Sequence, residues 1–267
     1  MSSNESQDKL KTEQYFVLYI DLLGSENRIK CDTDDTWLNA INKLYLRAID
    51  YTKSLDENLY RIEYQVKIFS DNIVVAVKRP IKFPGYDNRL YFLMYVASYI
   101  QTHALIDYSW LLRGCLTIGD LYIDNNFVWG KALTRVINIE SNLAVYPRII
   151  MDEELVINRR EVADEPKQES GNNRSIEETD FLFPVMKDSD GLFSRDYFAI
   201  QVQSDPNITL REIVDKSNNI ISDLEQEADK AMEILQKIEW VKSYVKLAEK
   251  SESMNLEPPK DKDVLYQ

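Results

Sequence analysis

KIFSDNIVV, residues 67–75, decides how this chain folds. Lys67, Ile68 and Phe69 read as one strand and Ile73, Val74 and Val75 as the next, with Ser70-Asp71-Asn72 between them. A tight hairpin favours residues that tolerate positive φ, yet no glycine is present and a carboxylate sits at the corner. Two explanations are open. Asp71 either accepts hydrogen bonds in an Asx-type turn, or it faces a ligand at the end of the sheet.

Upstream, QYFVLYI (residues 14–20) is a near-continuous apolar run that ends in Asp21-Leu22-Leu23-Gly24. Such a strand is buried on both faces and therefore central. If it lies beside the hairpin, Asp21 and Asp71 emerge together at one end of the sheet. Two carboxylates so placed can share divalent ions, typically ~3.5–4 Å apart in two-metal sites. Taken singly, each acid also has an ordinary structural use, Asp71 in its turn and Asp21 in capping a loop.

Outward from this pair, a helix is expected from about Asp34 to Leu55, with Trp37, Ile41, Leu44, Ala48 and Leu55 at helical spacing and Thr33 or Asp34 as its cap. RPIKFPGYDN breaks the chain, and a long apolar helix follows from Arg89 to about Leu105. WLLRGCLTIG (110–119) reads as a strand, Asp120 as a turn residue, and LYID as a returning segment. A helix from Lys131 to about Leu143 leads into the strand RIIM (148–151), across which Glu140 and Arg148 are expected to pair. FLFPVM and YFAIQV are late strands. From Pro206 onward the sequence is helical only, as two helices or one bent helix, with Ile213, Ile220, Leu224, Trp240 and Tyr244 on its apolar face. The order predicts an α+β, ferredoxin-like or palm-type fold: a mixed sheet with helices on one face and a C-terminal helical extension. By segment, 1–13 is a disordered lead-in, 14–205 the main domain with a mobile acidic insertion at 152–180, 206–250 the helical element and 251–267 a flexible tail.

Composition narrows the chemistry. The chain has 267 residues, 44% hydrophobic and 29% charged, with a formal charge of −13 that disfavours duplex nucleic acid as a partner. Its apolar runs fall short of the ~20 residues of a membrane span, and its N-terminus has no apolar core of a secretory signal, so a cytoplasmic protein is expected. Cys31 and Cys115 match no zinc or redox spacing. His103 is the only histidine, which excludes a His-centred triad and a multi-His metal site. Carboxylate ligands select hard ions such as magnesium or manganese.

With these residues in view, the chain resembles the class III nucleotide cyclases over about residues 14–205. That family's first strand ends in an Asp followed three residues later by Gly, here Asp21 and Gly24. Its second metal-binding Asp lies at a hairpin tip after Gly; here Ser70 precedes Asp71. LLRGCLTIGDLYI resembles its later hairpin, and VWGKALTRVINIE, from Val128 to Glu140, its next helix. The resemblance implies two magnesium or manganese ions on Asp21 and Asp71, phosphates cradled by Leu22, Leu23, Gly24 and Ser25, and Lys67 at the base-reading lysine. It implies a homodimer with shared sites, the Trp129 region being a candidate contact. The reaction implied is conversion of a nucleoside triphosphate to a cyclic nucleotide and pyrophosphate, and the pyrimidine cyclases of bacterial anti-phage signalling share this fold. Thr134 and Asn138 stand where the family has its catalytic Asn and Arg, and Phe127 where it has the acidic partner of the lysine. These departures open a second reading, a cyclase-like sensor that binds nucleotide without chemistry. A third is a palm-type cyclic oligonucleotide synthase, although the paired acids or Gly-Gly usual at that hairpin are missing.

Overall fold

A computed structural model describes residues 9–55, 62–79, 88–155, 185–187, 190–195, 208–227 and 232–253. The elements in chain order are β1 (Glu13–Leu22), α1 (Ser25–Cys31), α2 (Thr36–Leu55), β2 (Tyr64–Phe69), β3 (Asn72–Lys78), α3 (Asn88–Tyr108), β4 (Leu112–Ile123), β5 (Val128–Trp129), α4 (Lys131–Leu143), β6 (Ile149–Met151), β7 (Val185–Lys187), β8 (Phe193–Arg195), α5 (Leu210–Glu227) and α6 (Met232–Ser253). Among the described residues the sheet runs β2-β3-β1-β4-β6-β8-β7, with β5 paired to β4. All neighbouring pairs are antiparallel except β4 with β6, so the sheet is mixed. The α+β architecture is the expected one.

β1 is central, as its unbroken apolar run requires. Phe16, Leu18 and Ile20 pack under α2 and α3, while Val17 and Tyr19 face α4 on the opposite side. Helices therefore cover both faces, whereas one covered face was expected. The helical phase explains the difference: Ala132, Val136 and Glu140, spaced by four, form a stripe on α4 that is buried against the sheet. α3 is apolar nearly all round because it meets the sheet, α2 and α5 together; Leu105 packs with Ile208, Ile213 and Tyr244. The extension is two helices, and Trp240 of α6 stacks on Tyr146 with ring centroids 5.7 Å apart.

One local expectation is extended and one corrected. α2 begins at Thr36, where the Asp34 carboxylate accepts from the Thr36 N–H at 3.3 Å as a cap, and Asp32 adds to it, its carboxylate accepting from the Trp37 and Leu38 N–H groups at 3.2 and 3.1 Å. Asp120 is not a turn residue: β4 continues to Ile123, and Asp120 accepts a hydrogen bond from the Gln14 side chain on β1. The turn lies further on, where the Asp124 carboxylate accepts from the Asn126 and Phe127 N–H groups at 2.7 and 2.9 Å. Gly130, at φ 151°, then admits the chain to α4, since a Cβ there would lie 2.4 Å from the Asp120 carbonyl oxygen. No helix among the described residues is long and apolar enough to cross a membrane. The lead-in at 1–8, residues 156–180 of the acidic insertion, the strand YFAIQV and the tail at 254–267 lie outside the described residues.

Candidate active site

β1 pairs with β3 through Ile20 opposite Ile73 and with β4 through Asp21 opposite Arg113. The β2–β3 hairpin closes one residue further on, with Phe69 opposite Asn72. Asp21 and Asp71 therefore stand at the same end of neighbouring strands, and their charges act on each other. The sequence-level juxtaposition is what the register produces.

The hairpin has two central residues, Ser70 and Asp71, and Ser70 adopts φ 55°. A non-glycine residue held there costs on the order of 1–3 kcal/mol. Ser70→Gly is accordingly expected to stabilise the chain by ~1 kcal/mol, read as a higher urea midpoint. An unchanged or lower midpoint would show that the turn is not strained.

Asp71 is only 7% exposed, yet its carboxylate makes little use of the protein. Among the described residues its one side-chain contact is a donation from Asn72 Nδ2 at 3.4 Å, and no backbone N–H bonds to it. The Asx-turn explanation therefore has no support in the geometry. What holds the tip is elsewhere: the buried Tyr45 hydroxyl donates to the Asp71 backbone carbonyl, and the Tyr19 hydroxyl donates to Asn72 Oδ1 at 2.6 Å. Burial, followed by the charges of Asp21, Glu140 and Asp71, pushes the Tyr19 phenol well above its usual range, so it stays a donor.

Asp21 has its own cation. Arg113 Nε and Nη2 both donate to Asp21 Oδ2 at 3.2 Å, and the same guanidinium contacts Glu140 Oε1 at 2.6 Å. Glu140 thus pairs with Arg113, not with Arg148; Arg148 is wholly buried and pairs with Asp190. Burial, then the negative charge of Glu140, with Arg113 opposing and Asp71 adding, pushes the Asp21 carboxyl up to about 6.

That shift has a sign. A carboxyl raised above 3.8 favours the folded chain at low pH, and the contribution is lost as pH rises through about 6. In metal-free buffer, Asp21→Asn removes the loss. The unfolding free energy of the variant relative to wild type should rise by ~2 kcal/mol from about pH 4 to pH 7, after allowance for partial exposure. A difference that stays flat in urea titrations over that range would contradict it.

The other expected residues are spread more widely. Leu22 ends β1 opposite Leu112, and the Leu23 N–H donates to the Leu111 carbonyl at 3.0 Å, which leaves Gly24 and Ser25 at the start of α1 as the backbone donors still open among the described residues. Lys67 is half-buried on β2 opposite Val74, and its charge reaches Asp124. Thr134 and Asn138 lie one helical turn apart on the exposed side of α4, turned away from the buried stripe that ends in Glu140. Arg135 pairs with buried Asp152 and, at 2.8 Å, with Glu154. The residue missed by sequence reasoning is Arg113, whose signal was the Arg-Gly step of LLRGCL opposite an acid-ended strand.

The donor set fits a hard divalent ion. Asp21 Oδ1 and Asp71 Oδ2 carry no protein hydrogen bond among the described residues. No group of three His, Cys, Asp or Glu side chains suited to a metal occurs among those residues. Magnesium is ordinarily held by one or two carboxylates with waters and substrate phosphates, so two acids match an ion that arrives with a triphosphate.

No protein-family profile matches the chain, and no curated protein matches it. Among solved structures it is similar to the monomeric guanylyl cyclase domain of the RhoGC fusion protein from the aquatic fungus Blastocladiella emersonii, at 14% identity and a TM-score of 0.47 over 70% of this chain and 98% of that one. It is also similar to an adenylate/guanylate cyclase/hydrolase from Silicibacter pomeroyi, at 13% identity and a TM-score of 0.40 over 69% of this chain and 95% of that one. The likeness is one of fold, at low sequence identity.

Proposed function

We propose that the chain is a metal-dependent nucleotidyl cyclase that converts a nucleoside triphosphate to a cyclic nucleotide signal and pyrophosphate. The observation that carries this reading is Asp71, a nearly buried carboxylate beside Asp21 whose one side-chain contact among the described residues is a long donation from Asn72. The order of motifs along the sequence supports the same reading.

In this proposal Asp21 and Asp71 hold two magnesium or manganese ions. Those ions supply charge neutralisation for the triphosphate and lower the pKa of the ribose 3′-hydroxyl that attacks the α-phosphorus. Gly24 and Ser25 meet phosphate oxygens through their N–H groups, and Lys67 faces the base. Thr134 and Asn138, exposed on α4, complete the site of a second copy, which makes the active form a homodimer. Exposed Phe127 and Trp129 beside α4 supply apolar area for that contact. Such a product would suit a role in bacterial anti-phage signalling.

A second reading is favoured by two observations: Asp21 already has an ion-pair partner in Arg113, and the α4 residues depart from the catalytic pattern. On that reading the chain is a nucleotide sensor. One experiment separates the two: incubation with ATP, GTP, CTP or UTP, with and without manganese, product chromatography, and calorimetry in parallel. A mononucleotide ring supports the cyclase; binding without product supports the sensor; a longer ring or chain assigns a palm-type synthase.

A further inference from the structure

Trp240 of α6 stacks on Tyr146 at 5.7 Å and on Tyr244 at 5.2 Å between ring centroids. Arg148 lies beside this aromatic group, its guanidinium carbon 5.3 Å from the Tyr146 ring centre and 5.9 Å from that of Trp240. A charge removed from water needs partners; Arg148, wholly buried, has Asp190 as an ion pair and two ring faces next to it. Its backbone carries the contact inward. The Arg148 carbonyl accepts from the Gly114 N–H at 3.1 Å, where β6 joins β4. A second path runs through Leu111, whose side chain packs against Val214, Ile221 and Val241 of α5 and α6. Its carbonyl accepts from the Leu23 N–H at 3.0 Å.

Both paths end on residues 111–114, the part of β4 and its entry that lies against the acid end of β1, with Leu112 opposite Leu22 and Arg113 opposite Asp21. The two strands are closely fitted there, since a Cβ on Gly114 would collide with the Tyr19 carbonyl oxygen. A shift of this end of β4 therefore moves Asp21, through the ladder and through its ion pair with Arg113.

We propose that Trp240 is a positioning residue for the metal-binding acid: by packing on Tyr146 and Arg148, it fixes the Leu111–Gly114 end of β4 and with it the Asp21 end of β1. The C-terminal helical pair is then a control element of the site. The inference rests on the cation site proposed above and adds a residue that acts on it from another element.

The test compares the full chain as wild type, Trp240→Leu, Trp240→Phe and Asp21→Asn by two readouts. One is titration with manganese alone, followed by loss of the free-ion EPR signal; the other is amide hydrogen exchange at single residues without metal. Trp240→Leu keeps apolar bulk and removes the ring face. It is expected to weaken manganese binding ~2–30-fold, the range for residues that carry coupling without touching the ligand. It should also speed exchange at the Leu23 and Gly114 amides, while Val75 in the middle of β3 stays as protected as in wild type. Trp240→Phe returns a ring face to Arg148 and is expected to recover both readouts. A role confined to docking the helices would speed exchange within α5 and α6 and leave manganese affinity unchanged. Unchanged affinity in Trp240→Leu, faster exchange at Val75, or a Trp240→Phe no better than Trp240→Leu overturns the inference while leaving the cation site standing. A wild type that binds no manganese, or binds it no more tightly than Asp21→Asn, overturns both.

Discussion

Asp71→Asn is expected to abolish metal-dependent nucleotide turnover, by roughly 10²–10³-fold or more, in a chain that folds normally. The two halves of this result have separate causes. The fold is spared because Tyr45 bonds the Asp71 backbone carbonyl and Tyr19 bonds Asn72, and neither contact needs the Asp71 carboxylate. Turnover is lost because an amide presents one neutral oxygen where the proposed chemistry needs an anionic ligand. Asp21→Asn should lose turnover to a similar extent, with the stability change described above. The measurement is initial rate of product formation with manganese, beside a thermal melt. Turnover retained in both variants would remove these acids from the chemistry, and a melt lowered by many degrees in Asp71→Asn would return Asp71 to a structural role.

Gly114→Ala should cost roughly 3 kcal/mol or more, a large share of the stability of an ordinary domain. Gly114 lies opposite Ile20 on β1 and opposite Ile149 on β6, at the middle of the sheet. A Cβ there would come within 2.2 Å of the Tyr19 carbonyl oxygen and 3.2 Å of the Ile20 Cα. Both are backbone atoms of the central strand, so neither can rotate away as a side chain would. β1 has to shift, and it carries Asp21 one residue beyond the clash. The expected observations are a sharply reduced urea midpoint and poor soluble yield. A midpoint close to wild type would mean that the β1–β4 spacing is wider than described. By contrast Gly119, five residues further along β4, meets the Ala132 side chain at 3.3 Å, where a small adjustment suffices.

Local pattern and strand register account for what could be read in advance. YFVLYI has no polar alternation, and only a strand covered on both faces uses such a run; β1 is that strand. The apolar spacing of α2 gave its buried face, including Ile41, Leu44 and Ala48. Asp21 and Asp71 each terminate a run of strand residues, so their common end of the sheet followed once β1 and β3 were neighbours. α1 was missed, being seven residues long with no side-chain cap. β4 was cut short at Gly119-Asp120, because a glycine that makes room for α4 has the same local signature as one that makes a turn.

The sequence by itself determined the mixed α+β order, the central strand and the two acids at strand ends, because these depend on residues a few positions apart. Only the tertiary structure decided who pairs with whom. Arg113 meets Asp21 across 92 positions, Glu140 reaches Arg113 from a helix on the other face, and Arg148 closes on Asp190 across 42 positions. It also decided that, among the described residues, no backbone N–H of its own turn bonds the Asp71 carboxylate. Charge is long-ranged and side chains are long, so ion pairs are assigned by the packing of whole layers, of which the linear order holds no record.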